Sequence, residues 1–65
     1  MNEQTENYSV GERVELIHMF DDPRPIESGA KGTIRHIGGG VLNVLWDNGR
    51  DLGLVVGVDI FIKIK

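Results

Sequence analysis

The sequence predicts an all-β fold, a small barrel of about five short strands with little or no helix. Three observations carry that prediction. Apolar residues come in short runs rich in Val, Ile and Leu, with no stretch at helical spacing. Nine glycines fall mainly in or beside the positions where those runs end. The chain has only 65 residues, and for so short a chain with several strands, closure into a barrel removes the exposed edges that a flat sheet would leave.

Residues 1–9, MNEQTENYS, are polar, with Tyr8 the only large apolar group after the initiator, and are expected to be a disordered tail ahead of a barrel over residues 10–65. The first strand is expected over Arg13 to Met19. The loop FDDPRPIESGAKG follows, and its prolines at 23 and 25 cannot join a central ladder. Further strands are expected over Gly32 to Ile37, Val41 to Trp46, Arg50 to Val55 and Ile60 to Ile64.

The Asn-Gly turn after Trp46 can be tested for register. A two-residue Asn48-Gly49 turn would set Leu45 opposite Leu52 and Trp46 opposite Asp51, mixing apolar and polar groups on each face. A three-residue loop Asp47-Asn48-Gly49, with Gly49 in the left-handed conformation, instead pairs Leu42 with Leu54, Val44 with Leu52 and Trp46 with Arg50. One face is then apolar throughout. Because a one-residue slip exchanges the two faces, the hydrophobic pattern selects this second register. It also sets the Arg50 guanidinium beside the Trp46 indole, where stacking would contribute about 0.5 to 1 kcal/mol.

The same reasoning applied to a Gly38-Gly39-Gly40 turn pairs Ile34 with Val44 and His36 with Leu42. The predicted core is Val14, Leu16, Ile34, Leu42, Val44, Leu52, Leu54 and part of Trp46. The opposite face carries Ile37, Val41 and Leu45 beside Arg35, Asn43 and Asp51, an apolar excess that invites a partner. The last strand reads either way: with Ile60, Ile62 and Ile64 inward, Phe61 is exposed, and with Phe61 inward the isoleucines lie outside.

Composition narrows the function classes. There is no cysteine, which removes disulfides and thiolate metal sites. A single core in this size range rarely supplies more than roughly 3 to 5 kcal/mol, so a second subunit is the natural supplement and a homodimer is plausible. No apolar run approaches the roughly 20 residues of a membrane span, and the polar start has no signal-peptide pattern, so a soluble, cytoplasmic protein is expected. The net charge of -3, with basic residues scattered along the chain, works against nucleic acid. Acids at 21, 22, 47, 51 and 59 do not follow the alternation of a calcium-binding loop. His18 and His36 each sit in a strand pattern, where a partly buried neutral ring is the commoner outcome. Gly38-Gly39-Gly40 lacks the following helix of a phosphate cradle. No nucleophile motif is present, and no cofactor and no metal are expected.

The segments GTIRHI, VLNVLWDNG and LVVG with VDIF resemble the strand-turn-strand core of SH3-like barrels. The pattern G-T-[IV] followed by V-x-W-D-N-G is similar to the Mib/HERC2 domain of ubiquitin ligases, where the same turn joins two barrel strands. With GERVELIHM and DDPRPIESGAKG added, residues 10 to 64 most resemble a family of short bacterial and phage proteins classed as a domain of unknown function. The resemblance implies an SH3-like barrel, and it transfers no catalytic or binding residue.

Two segments are candidates for recognition. Trp46, Asp47 and Arg50 flank a rigid turn, and Trp and Arg dominate interface energetics. Against this stands the reading that Trp46 closes one end of the barrel while the Asp47 side chain organises the turn. Phe20, Asp22 and Arg24 lie in the long first loop, where prolines lower the entropy lost on binding, although Phe20 and Ile26 could simply tuck onto the core. Arg35 is a further cation on the outer face. The sequence thus points to a non-catalytic module for protein–protein interaction or self-association. Alternatives are a phage or mobile-element accessory protein that sequesters a small anion such as a nucleotide through Arg24, Arg35 or Arg50, and single-strand nucleic-acid binding through Tyr8, Phe20, Trp46 and Phe61.

Overall fold

A computed structural model of the chain describes residues 7–20 and 23–64. It is the all-β, SH3-like small barrel expected: strands β1 (Arg13–His18), β2 (Lys31–Gly38), β3 (Val41–Trp46), β4 (Asp51–Val55) and β5 (Ile60–Ile64), with no helix among the described residues. All neighbours are antiparallel and the order is β4-β3-β2-β1-β5.

The hairpin between β3 and β4 has the register that the apolar pattern selects. Leu42 faces Leu54 and Val44 faces Leu52, the Trp46 amide donates to the Arg50 carbonyl at 2.8 Å, and Gly49 closes the loop at φ 92°. That dihedral is one that only glycine adopts without a Cβ clash.

The hairpin between β2 and β3 departs from expectation. Ile34 does face Val44, but His36 faces Asn43, Ile37 faces Leu42 and Gly38 faces Val41. The cause is a β-bulge at Arg35 and His36, which places two residues opposite one and turns both outward. Ile37 thereby swings from the outer face onto the core. The turn shortens to Gly39-Gly40, with φ 61° and 78°, the positive values of a two-residue hairpin turn whose twist matches the strands.

A second bulge in β1 repeats the device. Leu16 faces Phe61 and His18 faces Ile60, so Ile17 is the extra residue and points outward while Met19 returns to the core. In both strands, an apolar pair spaced by three (Ile34 and Ile37, Leu16 and Met19) brackets the bulge.

All eight predicted core residues lie inside, Leu52 only partly, and Trp46 more deeply than expected at 1% exposure. Met19 and Ile26 join them, so the Pro-containing loop contributes Ile26 to the core while Phe20 stays 44% exposed. The ambiguity in β5 resolves with Phe61 turned inward and Ile60 and Ile62 outward.

The expected closure is incomplete. β4 and β5 are joined by the turn Val56–Asp59, with one bridge between its ends, and no ladder connects the two strands, so among the described residues each keeps an open edge. At the other end of the chain, residues 1–6 of the expected tail lie outside the described residues. Tyr8 packs on Phe61 with ring centres 5.5 Å apart, and Lys63 Nζ donates to the Asn7 carbonyl at 2.7 Å, so contact with the barrel begins ahead of Val10.

Candidate functional site

On the outer face, beside the β3–β4 turn, lies an open cleft of about 480 Å³. Its lining includes Val10 and Gly11 ahead of β1, Thr33 and Arg35 on β2, and Leu45, Asp47 and Gly49 on and after β3. Strand alternation explains the grouping. Thr33 and Leu45 are cross-strand partners on the face opposite Ile34 and Val44, so whatever the core excludes at these positions collects here. Leu45 is 36% exposed and Val10 61%, which gives the cleft an apolar surface.

Its charges are of two kinds. Arg13 holds Asp47 in a bidentate pair, Nη1 to Oδ1 and Nη2 to Oδ2 both at 2.7 Å, while Nη1 also reaches Thr33 Oγ1 at 3.1 Å. These hydrogen bonds, ahead of the Arg13 charge, hold the Asp47 carboxyl below its ordinary value and raise Arg13 in turn. Arg35, by contrast, is exposed and has no hydrogen-bond or ion-pair partner among the described residues.

The sequence-predicted residues are therefore divided. Arg35, Asp47 and Trp46 line the same cleft, although the indole itself is buried. Trp46 Nε1 donates to the Leu52 carbonyl at 3.0 Å, which satisfies its one polar atom inside the barrel. The ring thus closes the barrel end, as the second reading of Trp46 had it, and more of it lies inside than the part expected. The expected stacking with Arg50 is corrected, because Arg50 Nη1 turns to the Pro25 carbonyl at 3.3 Å and ties the turn to the first loop. The turn is organised by Asn48, whose Oδ1 accepts the Arg50 amide at 2.9 Å, and not by Asp47, which is engaged with Arg13. Phe20 lies elsewhere, at the end of β1, edge-on to His18 with ring centres 4.5 Å apart. Arg24 is exposed on the first loop, and Asp22 lies outside the described residues.

Sequence reasoning missed Thr33 as a wall of the cleft and Arg13 as the residue that holds its Asp47, because Arg13 reaches Thr33 and Asp47 across 20 and 34 residues of chain. It also missed Asp59. That carboxylate, 8% exposed, accepts the Phe20 amide at Oδ1 and the Val55 amide at Oδ2, both at 2.9 Å, and so joins the ends of β1 and β4 to the start of β5. Leu45 was legible as a leftover apolar group on the outer face, a signal that, with Arg35 and Asp47, pointed to this cleft.

Among the described residues, no cluster of three or more His, Asp or Glu is arranged to hold a metal ion, and no helix is long and apolar enough to cross a membrane. Residues 1–64 match the family model described as "Domain of unknown function (DUF4314)". No curated protein and no solved structure matches the chain.

Proposed function

The chain belongs to the family of the domain of unknown function DUF4314, and from that premise we propose that it is a non-catalytic binding module that recognises a protein partner. The observation that supports this reading is the pairing, in one cleft, of exposed apolar surface at Leu45 and Val10 with the guanidinium of Arg35, which has no partner among the described residues. A segment carrying an apolar side chain next to a carboxylate satisfies both: the apolar group leaves water against Leu45, and the carboxylate meets a forked donor that no acid among the described residues occupies. The neighbouring Asp47 is already neutralised by Arg13, so it does not repel the incoming charge. A cytoplasmic location, a bacterial or phage origin and a barrel turn shared with the Mib/HERC2 domain belong to the same proposal.

Random-peptide display on the immobilised protein tests it. Peptides with an acid beside an apolar residue are expected to be enriched, and both Arg35→Glu and Leu45→Asp are expected to abolish the enrichment. Enrichment that survives both substitutions, or none at all, overturns the reading.

A second reading takes support from the cleft's size, which falls within the range of about 300 to 1,000 Å³ usual for small-molecule sites. Arg35 would then hold a small anion such as a nucleotide, and a thermal shift with nucleotides that disappears in Arg35→Glu would favour it. Single-strand nucleic-acid binding draws less support, because Trp46 is buried and Tyr8 and Phe61 pack on each other instead of offering a row of free faces.

A further inference from the structure

The open edge of β5 forms a surface separate from the cleft. Ile60 and Ile62 point away from the core at 50% and 49% exposure, and Val58 continues the alternation at 46% in the turn before them. Ile17 on β1 adds to the stripe at 43%, outward as alternation from the buried Val14 and Leu16 requires. Beyond this stripe, the edge of β5 that faces away from β1 has no ladder partner among the described residues. Natural sheets guard such edges with proline, bulges or charges. The strand IFIKI has neither proline nor bulge of its own, and its single charge, Lys63, is directed to the Asn7 carbonyl, the Tyr8 ring and Glu12 within the same chain.

We infer that β5 pairs with β5 of a second copy of this chain, antiparallel about a two-fold axis at Ile62, to form a homodimer with a continuous sheet. The occupant follows from the strand's own order. Antiparallel pairing about Ile62 sets Ile62 against itself and Ile60 against Ile64 of the other copy, so the outer face carries isoleucine on isoleucine at every position. On the opposite face, Lys63 meets Phe61 of the other copy in both halves of the dyad. No two like charges are opposed between the paired strands. The open backbone edge supplies hydrogen bonds that a flat apolar patch could not.

Because the chain contains no cysteine, a single substitution reports this geometry directly. Sedimentation equilibrium of the unmodified chain is expected to show a monomer–dimer equilibrium. Ile62→Lys, which opposes two lysines at the dyad, is expected to raise the dissociation constant at least tenfold while leaving the circular dichroism spectrum unchanged, since Ile62 is half-exposed in the monomer. Under mild oxidation, Ile62→Cys is expected to form a disulfide-linked dimer faster than a control Leu45→Cys. A chain that remains monomeric at the highest soluble concentration overturns the inference, as does cross-linking at 45 that matches or exceeds cross-linking at 62. Peptide enrichment at the cleft proceeds independently of either outcome, so the two proposals fail separately.

Discussion

Two carboxylates stand at the two turns that flank β4, and they do opposite kinds of work. Asp47, at the β3–β4 turn, lies at the surface and meets Arg13 in an ion pair whose two side chains are 33% and 56% exposed. Asp59, at the β4–β5 turn, is buried and receives two backbone amides from strands that have no ladder between them. At the first turn the hairpin hydrogen bonds already hold β3 and β4 together, and the carboxylate only trims the surface. At the second turn no ladder exists, so the carboxylate substitutes for one. The value of a charged contact therefore depends on what else could satisfy its partners, and water does so more readily for the exposed Arg13 pair than at the part-buried bonds to Asp59.

Substitutions at and beside these positions should separate the two regions. The largest effect is expected one residue before Asp47: Trp46→Ala empties the barrel end and should cost about 4 kcal/mol, near the whole stability of a domain this small, so chemical denaturation should find the variant largely unfolded. Asp59→Ala should follow at about 3 kcal/mol, because two part-buried amide donors lose a charged acceptor. Thermal melting checks this, and a change of only a few degrees would place β5 under some other restraint. Asp59→Asn should cost about 2 kcal/mol, since one carbonyl oxygen still accepts while the new amide faces a donor.

The smallest effect belongs to Asp47→Asn, a slight drop in melting temperature that 1 M salt should erase as screening removes the ion pair's contribution. The pH dependence has a definite sign. Arg13 lowers the Asp47 pKa in the folded chain from its ordinary 3.8, so the pair's stabilisation is present above that value and is lost as pH falls through the lower folded value. The melting-temperature gap between the unmodified chain and Asp47→Asn should thus close on acidification. A gap that persists in acid would show that Asp47 acts through something other than its charge.

The fold was legible wherever alternation ran unbroken. The pairs Leu42 with Leu54 and Val44 with Leu52 follow from the side-chain period of two, and Gly49 completes the turn that this register demands. The bulges were less visible, although the spacing of three between Ile34 and Ile37, and between Leu16 and Met19, is a mark of them: two apolar residues so spaced reach the same face of a strand only if an extra residue intervenes. The candidate site was legible in Arg35, Asp47 and the leftover Leu45, but the roles of Arg50 and Trp46 were not. Both depend on what lies across the fold, the Pro25 carbonyl for one and the barrel interior for the other.

By itself, then, the sequence determined the strand inventory, the β3–β4 register and most of the core, because these rest on local periodicity and turn chemistry. Only the tertiary structure decided that Arg13 meets Asp47, that Asp59 links three strand ends, that Phe61 turns inward, and that the edges of β4 and β5 stay open. Those outcomes rest on contacts between residues 34 and 39 positions apart or depend on how far the sheet curls, and no pattern within a strand encodes either.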